Sequence, residues 1–176
     1  MWMLVNLKKF GANEDDLVGA YMQQIRNISE FSCPVWNAGL TLHEIKSLER
    51  IQKTALVIIR GNQYSSYSEA LQHFKLDSLE SRREKLCLKF AIKAYKHNKF
   101  SSWFSLNSSV PTRSGQSGLP LKKVIAKKRK YRKSPLPYLT EWLNRHLANE
   151  NSPNMTHTIS NIDSDCWYSH FSEPSL

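Results

Sequence analysis

The stretch from Thr41 to Gly61 constrains the fold of this chain more than any other. Thr41 occupies a helix N-cap position, and Glu44, three residues later, completes a capping box in which the two residues satisfy each other's free backbone N–H groups. Gly61 occupies the position of the left-handed residue that commonly ends a helix. Between the two ends, apolar residues recur at helical spacing, at Ile45, Leu48, Ile51, Ala55, Ile58 and Ile59. The polar face carries Glu49, Arg50, Gln52 and Lys53. This pattern predicts one long amphipathic helix.

A second helix is predicted upstream of this one. Asn13 and the three acidic residues after it are typical of a helix N-terminus, where acids complement the helix dipole. An apolar stripe follows and runs to about Phe31. We expect the Cys33–Pro34 pair to end the helix, because proline disfavours helical geometry in the residue before it.

Two further helices are predicted downstream of Gly61. Ser66 and Glu69 repeat the capping-box spacing before a short helix, and Asp77 and Glu80 repeat it before a long helix over 79–98. The predicted apolar face of the long helix comprises Leu79, Leu86, Cys87, Phe90, Ala91 and Ala94. Its polar face, called here the basic helix face, comprises Arg82, Arg83, Lys85, Lys89, Lys93 and Lys96. Such a face is commonly the solvated side of an amphipathic helix, and it can also lie along a nucleic-acid backbone.

The fold class predicted from these signals is all-α, because no alternating strand pattern of useful length precedes residue 100. We expect a small bundle of three to four main helices followed by a basic, partly disordered C-terminal region. Residues 1–104 are predicted to form the helical domain, and the Ser, Gly, Pro and Thr content of 105–121 is typical of a linker. Residues 122–147 are predicted to form a basic segment plus a short helix over 138–147, after a kink at Pro135 and Pro137. Residues 148–176 are predicted to be a disordered tail.

Positive charge is concentrated in one short segment. The chain has 25 Lys and Arg against 15 Asp and Glu, a formal net charge of +10, which favours a polyanionic partner such as nucleic acid. Residues 101–133 contain nine basic and no acidic side chains. Eight of the nine lie between Lys122 and Lys133, a segment called here the basic strip.

Three interpretations of the basic strip stay open at this point. Its point charges and its one aromatic ring, Tyr131, have the composition of a segment that contacts phosphates and stacks on an unpaired base. The same run is typical of a nuclear import signal, and a solvated loop without a partner has the same composition. The candidate nucleic-acid-binding residues are Arg82, Arg83, Lys89, Lys122, Lys123, Lys127, Lys128, Arg129, Lys130, Tyr131, Arg132 and Lys133.

Other chemistries find little support in the sequence. The three cysteines are far apart and form no paired motif, which argues against a zinc site or a disulfide framework and fits a reducing compartment. The six histidines share no metal-ligand spacing, and no nucleophile elbow or phosphate-binding loop is present. The acids of Asn13–Asp16 open a helix, so we interpret them as capping residues rather than a magnesium site. We expect no catalytic residue, no cofactor and no metal.

No apolar run is long enough to span a membrane, and the N-terminus lacks the apolar core of a signal peptide. We therefore expect a protein of the nucleus or cytoplasm that is not secreted and has no membrane partner.

Four segments, in this order, resemble one known region. They are YMQQIRNISEFSCPVWNAGL, SLERIQKTALVIIRG, YSSYSEALQHFKLDSLESRREKLCLKFAIKAYKHNKF and KYRKSPLPYLTEWLN. The region is the one that follows the polymerase domain in non-LTR (LINE-type) retrotransposon reverse transcriptases, and the resemblance covers roughly residues 4–144. Its helical core corresponds to Tyr21–Phe31, Leu42–Arg60 and Leu79–Asn98. Its basic segment corresponds to Lys130–Leu139.

The resemblance implies a thumb and post-thumb segment without its polymerase. In that family the fingers and palm carry the catalytic aspartates, and this chain has neither their aspartate-containing turn nor room for a palm. A thumb packs on the palm and holds the template–primer duplex. The resemblance therefore implies a non-catalytic fragment that binds an RNA–DNA or DNA duplex with low sequence specificity, with a reverse-transcriptase palm as a further partner.

Two rival interpretations belong to other functional classes. In the first, the apolar faces of the first two helices bind a partner chain, and the protein is a helical interaction module. In the second, the chain is a retroelement relic without a function. An exposed apolar surface of several hundred square ångströms would favour the first.

Overall fold

The computed structural model describes residues 1–97, 99–106, 121–125 and 127–150. The predicted all-α class is confirmed, because most of these residues are helical. In the part of the chain that is described, extended pairing is limited to a single antiparallel bridge between Leu106 and Leu121. Most of the predicted linker, and the predicted tail from residue 151 onward, lie outside the described residues.

The α-helices are, in chain order, α1 (Trp2–Lys9), α2 (Glu14–Ala20), α3 (Asn27–Glu30), α4 (Cys33–Trp36), α5 (Leu42–Arg60), α6 (Tyr67–His73), α7 (Leu79–Lys96), α8 (Arg129–Arg132) and α9 (Pro135–Glu150). A π-helical segment, Tyr21–Arg26, joins α2 to α3 without a break. Short 3-10 turns lie at Asn37–Gly39, Gly61–Gln63 and Ser101–Trp103.

The second predicted helix begins and ends close to where the sequence indicates. The Asn13 side chain accepts a hydrogen bond from the backbone N–H of Asp16 at 2.8 Å, as an N-cap does. The helix then runs through the π-helical segment to Glu30, and Ser32 has a left-handed φ of 51°. Pro34 lies in the first turn of α4, where its missing N–H costs nothing. Pro34 therefore lies after the end of α3, as predicted, and also in the first turn of the next helix, α4.

The capping box of α5 is confirmed. The backbone N–H of Thr41 donates to the Glu44 carboxylate at 2.7 Å, and the Glu44 N–H donates to the Thr41 hydroxyl at 3.4 Å. At the other end Gly61 has a φ of 55°. There the Lys8 ammonium donates to the carbonyls of Ile58 and Ile59 at 2.6 and 2.9 Å. A cation from α1 thus satisfies carbonyl groups that α5 leaves free.

The first of two cores packs α1, α2 and α6 around α5. Its fully buried members are Leu4, Leu17, Val18, Tyr21, Ala55, Leu56, Ile59 and Ala70. Gln52, predicted on the polar face of α5, is buried instead. Its amide accepts from the Tyr21 hydroxyl at 3.2 Å and donates to the Asp77 carbonyl at 2.9 Å, so a buried polar group links three segments.

The N-terminus of α7 differs from the prediction. Its N-cap is Ser78 rather than Asp77, and the Ser78 hydroxyl accepts from the N–H of Ser81 at 3.2 Å. The Glu49 carboxylate of α5 adds a second cap, because it accepts the N–H groups of Leu79 and Glu80, each at 3.2 Å. An anion at this end also complements the helix dipole. Asp77 instead pairs with Lys85 at 2.7 Å.

The second core lies between α4, α7 and α9. Its buried members are Cys33, Cys87, Ala91, Ala94, Phe104, Leu121, Leu139 and Leu143. Phe90, predicted on the apolar face of α7, is 41% exposed and does not belong to it. Leu121, the last residue of the predicted linker, and two residues of α9 complete this core, so both pack in the same core as α7. The predicted domain boundaries themselves stay a prediction.

The last helix is longer than predicted. Residues 138–147 were expected to be helical after a kink, whereas α9 begins at Pro135 and continues to Glu150. Pro135 and Pro137 both lie in its first turn, where backbone N–H groups have no partner within the helix. The two prolines therefore start α9 rather than kink the chain before it.

Candidate nucleic-acid interface

The basic strip is attached to the helical body at Leu121. The Leu121 side chain is buried, and its backbone forms two hydrogen bonds with the Asn144 side chain of α9, at 2.9 Å to the N–H and 3.1 Å to the carbonyl. The N–H of Lys122 donates to the Ser105 carbonyl at 2.8 Å. These bonds fix where the strip begins, and the following residues continue along the outside of α9.

The second half of the strip contains a single turn of helix, α8. The N–H groups of Arg132 and Lys133 donate to the carbonyls of Lys128 and Arg129, and the Ser134 hydroxyl donates to the Tyr131 carbonyl at 2.7 Å. The turn therefore ends just before Pro135 opens α9. It presents several cations and one half-exposed aromatic ring on a short, locally stabilised element.

Every basic side chain of the strip is exposed, as binding to a polyanion requires. These side chains are Lys122, Lys123, Lys127, Lys128, Arg129, Lys130, Arg132 and Lys133. Within the described residues, none of the eight forms a salt bridge. Lys133 lies near enough to Glu44 to contribute to the lowered pKa of that carboxyl, although the hydrogen bonds from Thr41 are the larger cause. The strip is thus a concentrated, mostly uncompensated positive surface.

Arg82 of α7 is engaged within the fold. Its Nε lies 3.1 and 3.3 Å from the two carboxylate oxygens of Glu30, and the two side chains are 18% and 8% exposed. Arg26 approaches the same carboxylate at 3.5 Å. The Arg82–Glu30 pair joins α3 to α7, and removing either partner would leave a charge that is mostly shielded from water without its counter-ion.

Arg83 does not lie on the basic helix face, and its predicted exposure there is wrong. Its side chain is completely buried, and its Nε donates to the Asn37 side chain at 3.1 Å. Neither terminal guanidinium nitrogen has a hydrogen-bond partner in the described structure. Asn37 in turn donates to the Tyr138 hydroxyl at 3.0 Å, so Arg83 belongs to a polar network between α7 and α9. A phosphate cannot reach it.

The rest of the basic helix face is more accessible. Lys89 is half-buried, Lys85 is exposed and paired with Asp77, and Lys93 and Lys96 are exposed near the end of α7. The structure therefore divides the twelve candidate residues. The nine members from the strip are all exposed, Lys89 is half-buried, and Arg82 and Arg83 are engaged within the helical body.

An open groove of about 780 Å³ lies beside the strip. Its walls come from the strip, the turn at Ala38 and the exposed side of α9, and its basic lining residues are Lys123, Arg132 and Arg145. Sequence reasoning missed this groove and the Arg83–Asn37–Tyr138 network, because both depend on α9 folding back against α7 and α4. One signal in the sequence indicated the burial of Arg83. Arg83 lies four residues after Leu79 and four before Cys87, on the same helical face as these two apolar residues.

Burial and neighbouring charge shift several pKa values around this region. Burial raises the pKa of the Tyr138 hydroxyl, so the ring stays neutral beside the strip. Burial also raises the pKa of Glu84, and Arg83 and Arg145 partly oppose that rise.

No cluster of three or more potential metal ligands occurs among residues 1–97, 99–106, 121–125 and 127–150. In the same described ranges no helix is both long and apolar enough to cross a membrane. Comparison with protein-family models, with curated proteins and with solved structures found no match.

Proposed function

We propose that this chain binds the sugar–phosphate backbone of a nucleic-acid duplex through the basic strip. The observation that carries the proposal is the exposure of all eight basic side chains of the strip without a salt bridge to any described residue. Lys and Arg that contact phosphates release condensed counterions, and that release supplies most of the affinity of sequence-independent binding. Each strip cation is available for such a contact without first breaking a salt bridge to any residue that the structure describes.

The proposed binding has low sequence specificity. Phosphate contacts position a protein on a duplex but carry no sequence information. Six phosphate contacts would give a plot of log K against log salt with a slope of about −5. Tyr131, 44% exposed on α8, adds a ring that can stack on an unpaired base.

We further propose that the chain is a non-catalytic thumb-like part of a LINE-type reverse transcriptase. This origin rests on the order of the four resembling segments alone. In that setting the strip would hold the template–primer duplex, and a palm domain would be the protein partner of the helical body.

The proposal is tested by fluorescence-anisotropy titration of the full chain with a labelled RNA–DNA hybrid, a DNA duplex of the same sequence and a scrambled DNA duplex, each across a salt series. Micromolar binding that weakens steeply with salt and hardly differs between the two DNA sequences is expected. Absence of binding at low salt, by a chain that circular dichroism shows to be helical, would overturn the proposal.

A second candidate function, protein interaction, is favoured by one specific observation. Several large apolar side chains outside both cores are strongly exposed, with Trp2 at 81%, Phe10 at 88%, Ile28 at 77% and Phe31 at 70%. Sedimentation velocity over a concentration series tests whether they mediate self-association. The variant in which Trp2 and Phe10 are replaced by Ser is the monomeric control. A wild-type chain that is monomeric at every concentration, as the control is, would exclude self-association as the use of these residues.

A further inference from the structure

The groove beside the basic strip is lined by both cationic and apolar side chains. Its cationic lining includes Lys123 and Arg132, which are both exposed. Neither side chain forms a hydrogen bond or salt bridge to a residue that the structure describes. Its apolar lining includes Val124, Pro137 and Tyr138.

The acid in the groove does not cancel its positive charge. Glu141 lines the groove, but its carboxylate pairs with Arg145 at 2.6 Å, and the Arg145 guanidinium also lies 5.7 Å from the centre of the Trp142 ring. The Glu141–Arg145 pair is therefore close to neutral. The net charge of the groove is carried by Lys123 and Arg132.

The groove is formed before any ligand arrives. The Tyr138 hydroxyl accepts from Asn37 at 3.0 Å, which fixes the ring, and the two Asn144–Leu121 bonds fix the start of the strip against α9. A site held in this way loses little further conformational entropy on binding. Its volume of about 780 Å³ is within the usual range for small-ligand sites.

We propose that this groove accommodates one unpaired nucleotide at the end of the duplex that the strip holds. The phosphate of that nucleotide lies between Lys123 and Arg132, and its base lies against Tyr138 and Val124. The inference rests on the proposed backbone binding and adds to it a preference for ends or gaps with an unpaired base over blunt, fully paired ends.

The test compares three labelled RNA–DNA hybrids that differ only at one end: blunt, with one unpaired nucleotide, and with one unpaired abasic nucleotide. For the wild-type chain, the hybrid with the unpaired nucleotide is expected to bind at least about fivefold more tightly than the blunt hybrid, which is the lower end of measured base–aromatic stacking. The abasic hybrid is expected to lose most of that advantage, because only the phosphate remains.

Two matched variants of α8 separate the groove from the strip. Arg129→Ala and Arg132→Ala each remove one arginine from the same helical turn, but only Arg132 lines the groove. Arg129→Ala is expected to weaken binding of all three hybrids equally and to keep the fivefold preference. Arg132→Ala is expected to reduce the preference to less than twofold, because a nucleotide whose phosphate is not held between Lys123 and Arg132 is no longer positioned against the Tyr138 ring. A third variant, Ala38→Phe, fills the groove without changing charge and is expected to abolish the preference while leaving binding of the blunt hybrid unchanged.

The outcomes distinguish the two proposals. Equal, micromolar binding of the blunt and unpaired hybrids by the wild-type chain would overturn the groove and leave backbone binding standing. A preference that survives both Arg132→Ala and Ala38→Phe would also overturn the groove as its source. If no hybrid binds, backbone binding fails and the groove fails with it. Circular dichroism of each variant confirms that the comparison is made between folded chains.

Discussion

The arginines of α7 and the cations of the basic strip are the same residue types with opposite environments. Arg82 is held by the carboxylate of Glu30, and Arg83 is buried with a single hydrogen bond to Asn37. The strip cations, by contrast, are all exposed and form no salt bridge with a described residue. The difference shows that a basic side chain can bind a ligand only where it is neither buried nor already paired within the fold.

The same comparison explains why net charge alone is a poor guide to a binding surface. A cation paired with a shielded carboxylate is already neutralised within the fold, and a buried cation cannot contact a phosphate. A run of exposed cations on a short segment, by contrast, raises the surface potential and can contact phosphates.

The largest effect on stability is expected from truncating Arg83. Arg83→Ala should lower the free energy of unfolding by about 2–4 kcal/mol, because it leaves a cavity between α7 and α9 and removes the bond to Asn37. Arg83→Met is the matched control, since it keeps the volume and removes a buried charge, and it should change stability by less than about 1 kcal/mol or increase it. Urea denaturation measures both. A stable Arg83→Ala variant with weakened nucleic-acid binding would place Arg83 on the ligand surface instead.

Arg82 and Glu30 should show a smaller, shared effect. Each of Arg82→Ala and Glu30→Gln is expected to lower stability by about 1–3 kcal/mol, because each leaves a mostly shielded partner behind. The double variant should cost about 1 kcal/mol less than the sum of the two single variants. A double-mutant cycle in urea measures this coupling, and strictly additive costs would show that the pair does not join α3 to α7.

The capping box of α5 should give a smaller effect, visible as a pH dependence. Hydrogen bonds from the Thr41 N–H and hydroxyl hold the pKa of Glu44 below its ordinary value of 4.5. Because the pKa is lower in the folded chain, the contribution of Glu44 is fully present above its unfolded pKa and is lost as the pH falls through its folded pKa. Glu44→Gln should therefore flatten the decline of stability below about pH 4.5. Thermal unfolding at several pH values measures this decline. Lys133→Ala, which removes only a minor cause of the shift, should leave most of the decline in place.

The smallest effect on stability should come from the strip itself. Replacing Lys127, Lys128, Arg129, Lys130, Arg132 and Lys133 together by Ala should change the free energy of unfolding by less than about 1 kcal/mol, because exposed residues without partners contribute little. Urea denaturation of this variant and of Arg83→Ala compares directly how much the strip and the buried arginine contribute to stability. A loss of several kcal/mol would mean that the strip, like α7, is part of the structural framework.

Features encoded by neighbouring residues were predictable from the sequence. The Thr41–Glu44 capping box and the Asn13 cap are formed within one helical turn, so spacing alone is sufficient to predict them. The periodic apolar face of α5 gives the helix the same kind of local definition. The exposure of the basic strip follows from its composition, because eight of its twelve residues are Lys or Arg.

Features that depend on distant segments were not predictable in this way. Lys8 caps the end of α5 and Glu49 caps the start of α7 only because the packed helices bring them there. Gln52 and Arg83 are polar residues on buried stripes, where tertiary packing overrides the polarity of the side chain. The groove depends on α9 returning to α7, which no local pattern specifies.

The central claim, that the strip and not the exposed cations elsewhere in the chain contacts nucleic acid, is tested most directly by the salt dependence of binding to an RNA–DNA hybrid. The six-residue strip variant is compared with the wild type and with a charge-matched control. The control replaces six exposed cations elsewhere by Ala: Lys9, Lys46, Arg50, Lys53, Lys75 and Lys99. We predict that the strip variant flattens the slope of log K against log salt by about 5, whereas the control changes it by less than about 1. Equal slopes for the wild type and the strip variant, or an equal change in the control, would contradict the claim.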